Sequence, residues 1–338
     1  MGYFSFFLQE MVHIAADFKD LFPTYIRDSF TYSFNNTALH HSVLAASAII
    51  VDKCQGRDMI RFHSHRQQTY QYLRQQLASG DYDAPLAAAV FWTQYMDMRY
   101  GDMDAAIKHN HGLFLVLQHL LNKQGNSIWQ RNTRPSIPPL CMVIWRHGIR
   151  SDIVMSPWMN GNPMSFPPIL KEEEYLHRGW MEEYARVSIK EHAADWAAAS
   201  FAIECFLHRA CHHANSFIKH RVNGVFPTAI EAEFERIKQA LIIEHDEWWN
   251  RPVIQQARAN ELYTMSNDTT NNDTTTSADQ FLDYPPLPPI KNPLFAWLRN
   301  FWYAIYIYIS LFNYRPDKPR PPDSRRIEYA IEICRCFA

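Results

Sequence analysis

The sequence predicts an all-α fold, and three observations carry that prediction. Apolar residues recur at spacings of three and four in segment after segment, the period of one helix face. Glycine is sparse, 10 in 338 residues, too few for the tight turns of a β-rich domain. Apolar residues make up 47% of the chain and aromatic residues 14%, enough bulk for a sizeable helical core. The expected architecture is one irregular multi-helix domain built of antiparallel helical hairpins around a buried helix near residues 294–313.

That buried helix is the stretch Phe295–Phe312. Phe295, Leu298, Trp302, Ile305, Ile309 and Phe312 share one face, and Phe301, Ala304, Tyr308 and Leu311 fill the other. A helix apolar all round must be enclosed, by protein or by lipid. Arg299 and Asn300 interrupt the run and leave about a dozen residues before Asn313, short of the roughly 18 that a membrane span requires. Tyr303, Tyr306 and Tyr308 would each carry a hydroxyl into hydrocarbon. Enclosure by protein is therefore expected, and no membrane partner. Pro293 and Pro316 bound the helix.

The other elements follow in order. Residues 1–36 are aromatic and weakly patterned. Asn36–Thr37 caps a helix over Ala38–Asp52, with Leu39, Val43, Ala46 and Ile50 on its inner side and Gly56 at its end. Met59–Ala78 is a second helix with Phe62, Tyr70, Leu73 and Leu77 inward and Arg61, Arg66 and Arg74 on the solvated side. Asp83 caps Ala84–Tyr100, which tolerates Pro85 in its first turn. Gly101-Asp102 breaks it from Met103–Leu121. These four elements read as two helical hairpins.

Residues 122–139 are a polar, then Pro-rich connection. Cys141–Ser151 is a short helix, Ser156–Pro168 is irregular, Glu172–Glu174 opens an acidic segment, and Ala193–Phe217 is a long helix. Thr228-x-x-Glu231 is a capping box ahead of the stripe Phe234, Ile237, Leu241, Trp248. A helical body thus spans residues 18–263. Residues 264–293 form a disordered or Pro-rich insertion, its Thr264–Gln280 part lacking any apolar period. Residues 294–338 hold the buried helix and a last helix, Asp323–Phe337, that ends while still apolar, so the natural fold is expected to continue beyond Ala338.

Composition narrows the function classes. A formal net charge of −2 provides no overall basic field for nucleic acid. The six cysteines are scattered without a C-x2-C pair or a disulfide framework, which fits a reducing compartment. The apolar patch Tyr3–Leu8 lacks the basic flank of a signal peptide. Among sixteen histidines, His208 and His212 stand one helical turn apart, next to Cys211 and His213. They are the candidate metal ligands and the basis of an alternative reading as a metal-dependent helical enzyme. The simpler reading is a polar helix edge, because an H-x-x-x-H pair without a neighbouring glutamate or third ligand motif is a weak zinc signal. His63/His65 and His109/His111 place their rings about 200° apart on a helix, so neither pair shares a metal easily. There is no G-x-S-x-G, P-loop or G-x-G-x-x-G. No catalytic residue and no cofactor is expected in this chain, and no residue identifies a ligand-binding position.

The ordered blocks resemble a known family. Ala38-Leu-His-His-Ser-Val-Leu-Ala-Ala-Ser47, Tyr70-x-x-Leu73-x-x-x-Leu77, and Ala87–Tyr95 followed by Arg99-Tyr-Gly101-Asp102 are similar to the middle homology region of fungal-specific transcription factors. His109-x-x-Gly112 falls where that family often has a histidine and a small residue. Trp145-x-x-x-x-Arg150-Ser151-Asp152-Ile153 with Asn162-Pro163, then Trp196, then the helix before Pro316, continue the series, which covers about Phe18 to Phe337. Asn162 stands where arginine is common, and Ala197–Ser200 lack the family's Asn-Arg pair.

The family's six-cysteine zinc cluster, its DNA reader, does not occur in these 338 residues. The resemblance therefore implies the regulatory half alone. It would be a non-catalytic effector module of a nuclear RNA polymerase II transcription factor, touching DNA only through the missing zinc cluster. Its expected partners are the transcription machinery or co-regulators, with a small-molecule effector and a homodimer as further candidates. Zinc is expected only in the missing cluster.

Overall fold

The computed structural model describes residues 22–123, 139–159, 161–168, 193–222, 228–259, 293–310 and 324–335. Among them 87% are helical and none lies in a strand, so the all-α prediction holds. The predicted connection at 122–139 lies mostly outside these residues. The acidic segment from Glu172, the 264–293 insertion (all but Pro293), the Pro316–Pro322 break and the chain end after Arg335 lie entirely outside them. So do the side chains of Phe295, Leu298 and Trp196. The chain divides into two compact units, Met1–Ala197 and Ala198–Ala338.

In the first unit the helices are α1 (Phe22–Ser33), α2 (Thr37–Cys54), α3 (Ile60–Ser79), α4 (Ala84–Tyr100), α5 (Met103–Lys123) and α6 (Pro139–Met155). A single 3-10 turn, Ser156–Trp158, follows α6. The caps are those the sequence predicted. Leu39 N–H donates to Asn36 Oδ1 at 2.9 Å, and Leu86 N–H to Asp83 Oδ1 at 2.7 Å. Gly101, with φ 99°, ends α4 in the left-handed region that favours glycine. Helix α1 has no counterpart in the sequence prediction. The reason is chemical: its fully buried positions include Ser29 and Ser33, one turn apart, and an apolar-period search passes over serine.

Helices α2 and α3 form one hairpin, α4 and α5 another, and α2 packs directly on α4. Helix α4 is the most thoroughly enclosed. Every residue from Leu86 to Gln94 is buried, together with Met96 and Asp97. Ala87, Ala88 and Ala89 make this enclosure workable, because small side chains let neighbouring backbones approach. Trp92, Phe62, Leu39 and Leu113 are fully buried, and each such side chain contributes roughly 1.5–3 kcal/mol of transfer free energy. Leu77, assigned to the inner face of α3, is instead 40% exposed.

The second unit contains α7 (Ala193–Val222, from Ala198 onward), α8 (Thr228–Trp249), a short helical segment at 252–259, α9 (Pro293–Ser310) and α10 (Ser324–Arg335). Phe217 of α7 meets Phe234 of α8 edge to face at 5.0 Å, and Trp248 Nε1–H donates to Ala199 O at 2.8 Å. Helix α9 buries Trp302, Ile305 and Ile309 of the predicted inner stripe, and Tyr306 beside them, but Ala304 and Tyr308 are exposed. The all-round enclosure expected near 294–313 is found at α4, while among the described side chains of α9 burial is confined to one face. No helix among the described residues is long and apolar enough to cross a membrane.

One close approach is dictated by glycine. The Phe166 ring lies against the α6 backbone so tightly that a Cβ at Gly148 would sit 2.2 Å from its Cζ. Trp145 and Phe114 hold the ring there, with centroids 5.1 and 5.4 Å away. A Cβ at Gly112 of α5 would meet nothing within 4 Å. Gly148→Ala is therefore expected to destabilise the protein by about 1–3 kcal/mol through overpacking. Gly112→Ala is expected to leave it unchanged or stabilise it by up to about 1 kcal/mol. Thermal unfolding of the two variants beside wild type checks both.

Candidate functional site

Two polar clusters stand out, one in each unit. The first is built on Asp97. It lies near the C-terminal end of α4, where the helix still faces inward, and its side chain is 0% exposed. A buried carboxylate must be paired. Arg66 Nε donates to Asp97 Oδ1 at 2.8 Å, and the Tyr70 hydroxyl lies 2.9 and 2.8 Å from the two carboxylate oxygens. His109 Nε2 is 3.3 Å from Oδ2. The outer side of the Arg66 guanidinium reaches Asp102 Oδ2 at 2.7 Å, and Asp102 also caps α5 through Ala105 N–H. Residues of α3, α4, the α4–α5 turn and α5 thus converge on one carboxylate.

Electrostatics follow from burial. Desolvation raises Asp97 to about 6 despite the Tyr70 and Arg66 hydrogen bonds that favour its ionised form. Desolvation, aided by the Arg66 cation, lowers His109 to about 4. The Tyr70 hydroxyl is shifted upward by burial and by the Asp97 charge. Both Asp97 oxygens are occupied by the chain's own donors, so the cluster braces three helices rather than presenting a vacant base.

A companion network pins α5 to α6. Asn110 Nδ2 donates to Gly148 O at 3.1 Å and to Asp152 Oδ1 at 2.6 Å, and Phe166 N–H donates to Asp152 Oδ2 at 2.7 Å. Asp152 is 0% exposed. Between α2 and α3, His41 Nδ1 and His65 Nδ1 face each other at 3.1 Å. Burial and mutual repulsion lower His41 to about 4, and burial also lowers His65.

The second cluster surrounds Trp302. Its ring stacks on His245 at 4.2 Å and on Trp249 at 4.4 Å, one turn apart on α8. Trp302 Nε1–H donates to His245 O, and His245 Nε2–H to Trp302 O, both at 2.9 Å. From α10, Tyr329 packs 5.0 Å from Trp302, and the Arg325 guanidinium lies 4.2 Å from the Tyr306 ring centroid while pairing with Asp246.

The sequence-predicted ligands lie elsewhere. His208 and His212 meet edge to face at 4.8 Å on α7, with His208 fully buried. Among the described residues no group of three or more His, Cys, Asp or Glu side chains is arranged to hold a metal. Arg66, predicted to be solvated, is instead drawn in by Asp97 and is 17% exposed. Asp97, Asn110 and Arg325 were not singled out from sequence. Asp97 carried a usable signal: an acid one turn beyond Thr93, inside a run buried on every side, requires a counter-charge.

Comparison with family models, curated proteins and solved structures returns no match.

The Asp97 cluster makes two predictions. Arg66→Met leaves a buried carboxylate without its cation and should destabilise the protein by about 3 kcal/mol. Asp102→Asn retains the helix cap and should change stability by under about 1 kcal/mol, as expected at an exposed ion pair. Urea unfolding distinguishes them. The second prediction concerns pH. His109 is depressed, so its stabilising contribution is present above its unfolded value near 6.5 and is lost as pH falls through about 4. His109→Gln lacks that component and should lose less stability than wild type between pH 6.5 and pH 4, read as the shift in urea midpoint.

Proposed function

We propose that this chain is a non-catalytic regulatory module of a nuclear RNA polymerase II transcription factor of the fungal-specific type. It controls transcription by binding a small-molecule effector or a protein partner. The ordered series of sequence blocks carries this reading, and the family assignment rests on those blocks.

The geometry supports the reading in one respect. Residues from separate blocks meet: Tyr70, Asp102 and His109 gather around Asp97 and Arg66, and Asp152 ties α5 and α6 together. The blocks therefore contain side chains that hold a helical frame in register, as expected of a body whose packing, rather than a reactive group, is the product of its sequence. Such a frame acts by population shift. An effector or partner that binds one packing arrangement better draws the molecule toward it.

The test joins residues 1–338 to a heterologous DNA reader and measures transcription from a reporter carrying that reader's site. The fusion is expected to change output several-fold relative to the reader alone, and Arg66→Met is expected to abolish the change. Output indistinguishable from the reader alone overturns the proposal. By itself the chain is expected to give no sequence-specific gel shift of DNA, and tight sequence-specific binding would contradict the module reading. An in-frame six-cysteine cluster encoded just upstream of Met1 would place it directly.

A further inference from the structure

We propose that α10 is a proton-sensitive latch, in which Arg325 and a proton on His245 are competing counter-charges for the single carboxylate of Asp246. This inference stands on the second unit's geometry and is independent of the transcriptional reading.

Neutral His245 has one ring N–H and two neighbouring acceptors. Nε2 faces the buried Trp302 carbonyl at 2.9 Å, and Nδ1 faces Asp246 Oδ1 at 3.3 Å. The Nε2 contact is the shorter of the two and a carbonyl can only accept, so Nε2 carries the proton, and Nδ1 is left as a lone pair directed at a carboxylate. Two acceptors at that distance repel unless charge is drawn away. Arg325 does this: its Nη2 pairs with the same Oδ1, and its Nη1 lies 3.3 Å from Oδ2. A proton on His245 would meet the same need by a different route, converting Nδ1 into a charge-assisted donor to Asp246. It would also set an imidazolium beside the guanidinium, where the two cations repel.

The groups facing His245 support this sign. On its own helix stands Asp246, half-exposed, and the preceding Glu244 is engaged by Arg209 of α7. Helix α7 also contributes the Phe206 ring, α9 contributes Trp302 and Tyr306, and α10 contributes Arg325, with Tyr329 hydrogen-bonded to its Nε at 2.7 Å. Burial dominates and depresses His245 to about 4, while the Trp302 carbonyl and Asp246 pull upward and Arg325 pushes down. Removing Arg325 removes a downward push and frees the carboxylate, so undocking of α10 raises the proton affinity of His245. By reciprocity, protonation favours undocking. The attachment suits such a role. In the first two turns of α10 only Tyr329 is buried, packed on Trp302, Tyr303 and Tyr306, Arg325 is partly exposed, and Ile327 is 65% exposed, so the Arg325–Asp246 ion pair and the Tyr329 ring share the docking of those turns.

The experiment uses the full chain. Hydrogen exchange of residues 324–335, corrected for intrinsic rates, is followed from pH 7 to pH 5 beside exchange in α8 and α9. Protection of α10 is expected to fall about twofold or more over this range while α8 and α9 stay protected, with a ceiling of about tenfold per pH unit for one proton. Asp246→Asn should make α10 exchange faster at pH 7 and nearly independent of pH. In Arg325→Gln, the His245 pKa read from labelled-histidine NMR should rise by about one unit or more. An unchanged His245 pKa overturns the latch, as does loss of α10 protection only together with α8 and α9. Should Arg325→Gln fail to fold, the wild-type exchange profile decides alone.

Discussion

The first unit depends on how one carboxylate is kept inside an apolar helix. Helix α4 is surrounded by α1, α2, α3, α5 and α6, and alanines over most of one turn permit that crowding. Yet its buried run ends on Asp97, which is 0% exposed. An isolated ionised carboxylate there would be prohibitive, so neighbouring helices must place polar groups against it at fixed positions. Arg66, Tyr70 and His109 meet that demand from two other helices. Register is thereby coupled: sliding α3 or α5 by a turn would uncover the charge. Apolar packing supplies the driving force, and the buried carboxylate selects among packings that would otherwise be similar in energy.

The second unit solves a related problem with aromatic surface. Trp302 and His245 bond reciprocally through ring nitrogen and carbonyl, and their rings stack. Rotation of either side chain breaks a buried hydrogen bond, worth roughly 1 kcal/mol net and more if left unmade, as well as the ring stack. The α8–α9 contact is therefore specific in a way that leucines alone would not achieve. Helix α10 then adds a cation above the π faces and a counter-ion for Asp246.

Much of the fold was legible in the sequence, because the rules that set it are local. The α4 span, Ala84–Tyr100, is recovered residue for residue, since Asp83 caps it and Gly101 terminates it. The stripe Trp302, Ile305, Ile309 follows directly from period. What escaped has identifiable causes. Helix α1 hides behind buried serines. The boundary at Ala197/Ala198 falls inside a continuous helix, with no change of composition to announce it. The all-round burial assigned to α9 belongs to α4, because alanine marks a crowded neighbourhood more reliably than tyrosine, whose ring can lie half in water. The polar clusters were least legible. Arg66 looked solvated on its own helix wheel, and only the fold reveals the acid opposite it. The family resemblance was read from blocks whose residues contribute to these clusters, and their chemistry became visible only once tertiary structure joined them.

The contact between Gly148 and Phe166 has a consequence for descent. A glycine that admits an aromatic ring to a helix backbone ties two positions, eighteen residues apart, into a single evolutionary unit. A cousin of this chain with a bulkier residue at the first position should carry a slimmer one at the second. Drift at either place alone would be purged, so paired change there is a signature by which distant kin of this protein can be told from chance look-alikes.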